Sequence, residues 1–248
     1  MTWELLLAGG VSFVAGVLGG MVGLVLGSLR LPALLVASGN PAAAAGTNIA
    51  VSAAAAASAG IAHIRARRVD WQTVAWMTPP SVAAAFLGGY FGGKVSDRLL
   101  LGGIAVVLAW NGVDLLLELR PHTGRARSPR AAAALSGAFI GLVGGAVGLI
   151  LGTLRLPALL RWVGLAAHRA VGTNLVVGFF LGASGFLGHL ARLEVEWLVL
   201  AVSLVGAVPG GWLGARLSGK LSETALRRAI GFALLAVALA LGVEAGRD

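Results

Sequence analysis

Apolar runs dominate the chain, and short polar stretches separate them. In the first half the runs cover roughly 3–28, 31–37 continuing into 41–61, 71–92 and 99–118. In the second they cover roughly 131–152, 156–163 followed by 168–190, 197–215 and 225–243. Most reach the ~20 residues that a helix needs to cross a bilayer. The sequence has no alternation of apolar and polar residues over ~10 positions, as a membrane barrel would need. The pattern therefore predicts an all-α, polytopic helical membrane protein. Residues 31–37 are too short to cross, and Pro and Gly break the opening segments of both halves.

The halves are related in sequence. "GGMVGLVLGSLRLPALL" (19–35) returns as "GGAVGLILGTLRLPALL" (144–160), with fourteen of seventeen positions identical. "AGTNIAV" (45–51) matches "VGTNLVV" (171–177), His63 matches His189, and "VDW" (69–71) matches "VEW" (195–197). A duplication of this length defines the architecture. The expected organisation is a first repeat over 1–122, a basic inter-repeat loop over 123–130 and a second repeat over 131–248.

Charge placement bears on topology. Suppose each half opens with a broken hairpin that enters and leaves on one side, followed by three full spans. With Arg30 and Arg155 set aside, thirteen Lys and Arg then collect on one face. Four, Lys94, Arg98, Arg192 and Arg247, lie on the other. Four full spans per half would divide them nine to eight. The positive-inside rule favours the first arrangement, with inverted repeats, the basic face in the cytoplasm and both termini outside.

Composition agrees with a membrane protein: 58% hydrophobic and 12% charged residues, with a mean hydropathy of +0.89. The net charge of +9 sits mainly in the short loops, so it reads as orientation and not as nucleic-acid binding. The chain has no cysteine, which removes disulfides and thiolate metal sites. No metal-ligand cluster, carboxylate dyad or Ser/His pair stands at suggestive spacing, so neither enzyme chemistry nor a cofactor is expected. The N-terminal run lacks a basic n-region and has a counterpart at 131–150, so it is expected to belong to the mature fold.

The candidate chemistry lies in the duplicated words. An arginine at the centre of a membrane helix costs roughly 2.5–3.5 kcal/mol, and such residues are functional candidates. Here there are two, Arg30 and Arg155, each followed by Leu-Pro. Pro32 and Pro157 disfavour helix at the residue before them, which predicts helix breaks at Arg-Leu-Pro. Unpaired backbone at membrane depth is tolerated only where buried or lining a cavity. Inverted symmetry would bring both breaks together near the midplane. A small oxyanion between the two guanidinium groups would relieve their repulsion and accept forked hydrogen bonds from both. The predicted anion site is Arg30, Arg155, Ser28, Thr153, Gly27 and Gly152, with Pro32 and Pro157 at the breaks.

The repeated Gly-Thr-Asn words add Thr47, Asn48, Thr173 and Asn174, which either bond a neighbouring helix or face the substrate path. His63 and His189 end the following spans and read as interface residues, with proton shuttling as the alternative. Asp114 either carries a coupling proton or pairs with a helix end. Trp71 and Trp197 read as interfacial belt residues. The glycines four apart at 19, 23 and 27, with those at 16/20, 88/92 and 210/214, read as smooth packing faces. Such faces would serve within one chain or between the chains of a homodimer.

The order of these words over nearly the whole chain resembles the TauE/SafE family of sulfite exporter-like membrane transporters. Gly23 to Pro32 with Gly46-Thr47-Asn48, then Gly148 to Pro157 with Gly172-Thr173-Asn174, carry the resemblance. It implies export of a small anion, sulfite or an organosulfonate, across the cytoplasmic membrane. A passive anion channel and a non-transporting scaffold are the competing readings. They differ from the carrier in saturable counterflow and in dependence on the arginines.

Overall fold

The computed structural model describes residues 2–24, 26–91, 97–117, 128–147, 152–191 and 193–245, and all its regular elements there are helices. They are α1 (Thr2–Val22), α2 (Gly27–Ser38), α3 (Pro41–Arg65), α4 (Trp71–Phe91), α5 (Asp97–Leu117), α6 (Pro129–Val147), α7 (Gly152–Arg161), α8 (Ala167–Ala191), α9 (Trp197–Ser218) and α10 (Glu223–Ala245). Among the described residues, four stretches are long and apolar enough to cross a membrane: Trp3–Val22, Ala43–Arg65, Ala167–Leu187 and Trp197–Ser218. At 1.5 Å per residue, α2 and α7 measure only about 18 and 15 Å, half a bilayer core.

The break between α1 and α2 falls earlier than Arg-Leu-Pro. It falls between Val22 and Gly27, and Pro32 lies inside α2. Gly23 explains the position. It adopts φ +75°, a conformation that glycine alone enters freely, and its N–H donates to the carbonyl of Gly19 at 2.8 Å. A Cβ on Gly23 would also strike the backbone of Val171. Gly19, Gly23 and Gly27 therefore do not form one helical stripe: Gly19 lies in α1, Gly23 at the turn and Gly27 at the start of α2. Pro157 likewise lies inside α7, and the residues before α7, Gly148 among them, lie outside the described ones.

The chain divides into two compact units, Met1–Val69 with Val171–Lys220, and Asp70–Ala170 with Leu221–Asp248. Each unit takes helices from both sequence repeats. In the first, α1 packs along α9. Gly206, Gly210 and Gly214 present bare backbone to Gly9, Phe13 and Val17, and Gly16 and Gly20 do the same to Ala207 and Gly211. A methyl group at any of these five positions would meet backbone at 3 Å or less, so the small-residue faces work as close packing surfaces.

Also in the first unit, α3 and α8 run antiparallel. Gly46 meets His189, Ile49 meets Gly185, Ala53 meets Gly182, Gly60 meets Val176, and His63 meets Gly172. Ser58 Oγ ties α3 to α9 by donating to the carbonyl of Val208 at 2.6 Å.

In the second unit, α4 packs along α6 and α5 along α10. Gly137 and Gly141 admit the backbone of Met77 and Ser81, and Gly112 and Gly231 admit each other's helices. These glycine faces are all occupied within one chain. Gly92 lies outside the described residues, and the surroundings of Gly88 are not described. Outward-facing positions are strongly apolar, with Leu6, Val106, Val205 and Leu239 each at least 70% exposed, as expected of a surface made for lipid.

Candidate functional site

Arg30 stands in the first turns of α2 and is only 2% exposed. Its Nε donates to Asn48 Oδ1 at 3.1 Å, and its Nη2 donates to Ser52 Oγ at 2.6 Å. Asn48 and Ser52 lie four residues apart, so α3 presents both on one face. Gly27 makes this approach possible, because a Cβ there would press on Asn48 Nδ2 and Ser52 Oγ at 3.0 Å. The surroundings of the Ser28 side chain are not described. Pro32, two residues beyond Arg30, is exposed.

A small void adjoins the guanidinium, bounded by Gly16, Gly20, Leu26, Ser52 and Leu175, with about 10 Å³ open to a water's centre. That is room for about one water molecule. Among the described residues no carboxylate lies within ion-pair distance of Arg30. A cation removed from water costs several kcal/mol unless it is paired, and two neutral acceptors offset only part of that. The positive end of α2 adds to the same field. Among the described residues, the pocket thus has positive charge and no carboxylate partner.

Arg155 holds the equivalent place on α7 in the second unit and is 1% exposed. Gly152, Thr153 and Pro157 are buried on the same short helix. Arg30 and Arg155 belong to different units.

Three of the four Thr and Asn residues in the Gly-Thr-Asn words have described polar contacts, and each joins one segment to another. Thr47 Oγ1 accepts the N–H of Glu196 at 3.0 Å, at the start of α9. Asn48 turns to Arg30 instead. Asn174 Nδ2 donates to the carbonyl of Gly23 at 2.7 Å and so holds the left-handed end of α1. Thr173 is fully buried. Thr47, Asn48 and Asn174 thus all join helices, and Asn48 does so through Arg30.

His63, in the last turn of α3, is fully buried, with Nε2 3.4 Å from the carbonyl of Gly20. Close packing of α8 at Gly172 over this turn encloses it. His189 is half-buried, with Nδ1 2.7 Å from Glu194 Oε2. Asp114 forms an ion pair with Arg161 at 2.7 Å, at the last turn of α7, which is the helix-end pairing considered for it. Trp71 and Trp197 are exposed, as belt residues would be.

Two groups went unnoticed in the sequence. Ser52 is one helical turn from Asn48 and carried that signal in its spacing. Glu223 receives the N–H of Ala167 at the start of α8, lies 3.1 Å from His168 Nδ1 and pairs with Arg227. Only the Arg227 spacing is visible in the sequence; the partners on α8, Ala167 and His168, lie 56 and 55 residues away.

Apolar spans, half-length helices and charged or polar groups held inside define a polytopic helical membrane protein. The family model described as "Sulfite exporter TauE/SafE" matches residues 8–241, and the chain belongs to that family. It is a membrane transporter and not an enzyme. It is 32% identical to a "Probable membrane transporter protein" of Xylella fastidiosa (strain Temecula1 / ATCC 700964), over 89% of this chain and 91% of the relative. It is 24% identical to "Probable membrane transporter protein YunE" of Bacillus subtilis (strain 168), over 94% of each. The match to "Probable membrane transporter protein YjnA" of the same organism is 22% identical, over 92% of this chain and 94% of the relative. No solved structure matches the chain significantly.

Proposed function

We propose that this transporter exports a small oxyanion, sulfite or an organosulfonate, and that Arg30 and Arg155 are its anion-binding groups. The observation that carries the proposal is Arg30: buried, bonded to two neutral acceptors and beside a void, with no carboxylate partner among the described residues. A doubly charged oxyanion would supply the missing charge and take forked hydrogen bonds from the guanidinium. Arg155 enters the proposal as the counterpart of Arg30 in the sequence repeat. The void is too small for sulfite, which supports a carrier that closes around its site over an open channel.

The repeats are read as inverted. Support comes from the first unit, where the equivalent helices α3 and α8 run antiparallel and exchange the same contacts. Gly46 meets His189 and the Glu194 carbonyl, and Gly172 meets His63 and the Arg68 carbonyl. With the basic loops in the cytoplasm, both termini lie outside. An inside-negative potential then drives an anion outward by about 2.3 kcal/mol per charge per 100 mV. Asp114, His63 and His189 remain the candidates for proton coupling.

The test is sulfite and sulfonate efflux from proteoliposomes, for Arg30→Ala, Arg30→Lys, Arg155→Ala, Arg155→Lys and the double alanine variant. Efflux should fall at least tenfold in each alanine variant, and lysine should restore little because it lacks the planar fork. Full transport by the double variant would sink the proposal. Flux that never saturates, without counterflow, would favour the channel.

A further inference from the structure

We propose that the first unit binds one anionic phospholipid at the shared end of α3 and α9, with its phosphate between Arg65 and Arg216 beside Trp212. The guanidinium carbon of Arg65 lies 5.1 Å from the centre of the Trp212 ring, and that of Arg216 lies 5.3 Å from the same ring. Arg65 is the last residue of α3, and Trp212 and Arg216 lie one turn apart near the end of α9. Arg68 packs its guanidinium against Gly219, which confirms that the two helices end together. Both arginines at the ring are exposed.

The charges on this ledge are one-sided. Among the described residues, none of Arg65, Arg68 and Arg216 has a carboxylate within ion-pair distance. Two guanidinium groups drawn to one indole repel each other, and cation–π attraction at an exposed site is worth only about 0.5–1 kcal/mol. An anion bridging them relieves that repulsion, and a phosphate takes the forked donors of both.

The surface beside the cations distinguishes a lipid from a free anion. Val205, Val208, Trp212 and Arg216 follow one stripe of α9, at spacings of three or four residues. Val205 is 77% exposed and Val208 39%. On α3, Ile61 stands one turn before Arg65 and is 46% exposed. Apolar surface thus runs along both helices and ends in cations, with an amphipathic indole at the junction. That sequence of surfaces fits acyl chain, interface and phosphate in order. A zwitterionic headgroup brings no net charge to the arginines, so the site selects anionic lipid.

The test uses the full chain purified in detergent, titrated with dioleoylphosphatidylglycerol or dioleoylphosphatidylcholine and read by native mass spectrometry as lipid bound per protein. Phosphatidylglycerol should bind in preference. Arg65→Gln with Arg216→Gln should weaken it about thirtyfold, since each cation near a membrane surface is worth roughly fivefold. Trp212→Leu should weaken it less, and phosphatidylcholine binding should not change in any variant. Equal binding of the two lipids to the unaltered chain would overturn the proposal, and that comparison needs no variant to fold. So would undiminished phosphatidylglycerol binding in the double variant. Displacement of phosphatidylglycerol by millimolar inorganic phosphate would also overturn it, by making the ledge a site for soluble anions. The readout is independent of transport, so it stands or fails apart from the Arg30 and Arg155 proposal.

Discussion

Gly46 lies so close to the carbonyl of Glu194 that a methyl group on it would have no place. Its counterpart Gly172 stands in the same relation to the carbonyl of Arg68. Both obstacles are backbone, which cannot rotate away as a side chain can. Gly46→Ala and Gly172→Ala should each destabilise the protein by about 1–3 kcal/mol or more, as overpacked cores do. Thermal unfolding in detergent measures this. Gly10→Ala is the control, because nothing lies within 4 Å of a Cβ there and helix propensity favours alanine. Equal melting temperatures for Gly46→Ala and Gly10→Ala would contradict the packing described for α3 and α8.

Ser52→Ala removes the 2.6 Å acceptor of Arg30 and leaves a buried charged donor unsatisfied. Hydrogen bonds to charged groups contribute about 1.5–3 kcal/mol, so stability should fall by that order. If the guanidinium receives the transported anion, sulfite should then protect this variant from heat more than it protects the unaltered chain. Equal protection by sulfite in both proteins would place the anion away from Ser52.

Asp114 is buried and Arg161 partly so; breaking a fully buried pair costs about 3–5 kcal/mol by stranding one charge, and this one should approach the lower end. Asp114→Asn and Arg161→Gln should each be strongly destabilising. The double variant should lose less than the two losses added together. A thermal or denaturant double-mutant cycle reads that coupling, and strict additivity would show the contact to be energetically empty.

Glu223 gives stability a pH dependence. Burial pushes its carboxyl up. The N–H of Ala167, the bond from His168 and the charges of Arg227 and His168 together outweigh burial, and the group titrates below its ordinary 4.5. A carboxylate lowered in the folded state contributes stability that is present above pH 4.5 and is lost as pH falls through the lower folded value. The melting temperature should therefore drop more steeply below pH 4.5 in the unaltered chain than in Glu223→Gln. Because the side chain is 41% exposed, the difference is screened and modest. Parallel melting curves from pH 7 to pH 3.5 would remove Glu223 from the account.

Much of the architecture was legible along the chain. Apolar runs matched to bilayer thickness marked the helices, and all ten lie within a few residues of the runs that announce them. The duplicated words marked Arg30 and Arg155 because an arginine in an apolar run is expensive enough to need a reason. That short helices follow the opening spans was legible too, though the prolines taken as their breaks lie inside α2 and α7.

Tertiary structure decided what local chemistry leaves open. It placed the α1–α2 break at Gly23 and not at Arg-Leu-Pro, because Val171 packs where only a glycine fits. It enclosed His63, which sits at a helix end but lies under α8. It gave Asn48 to Arg30 and Asn174 to the end of α1, although both stand in the same word. Hydropathy is summed over neighbours in sequence, so the chain alone could specify which segments enter the membrane. Which helix backbone meets which glycine depends on partners sixty or more residues apart, and only the packed helices bring them together.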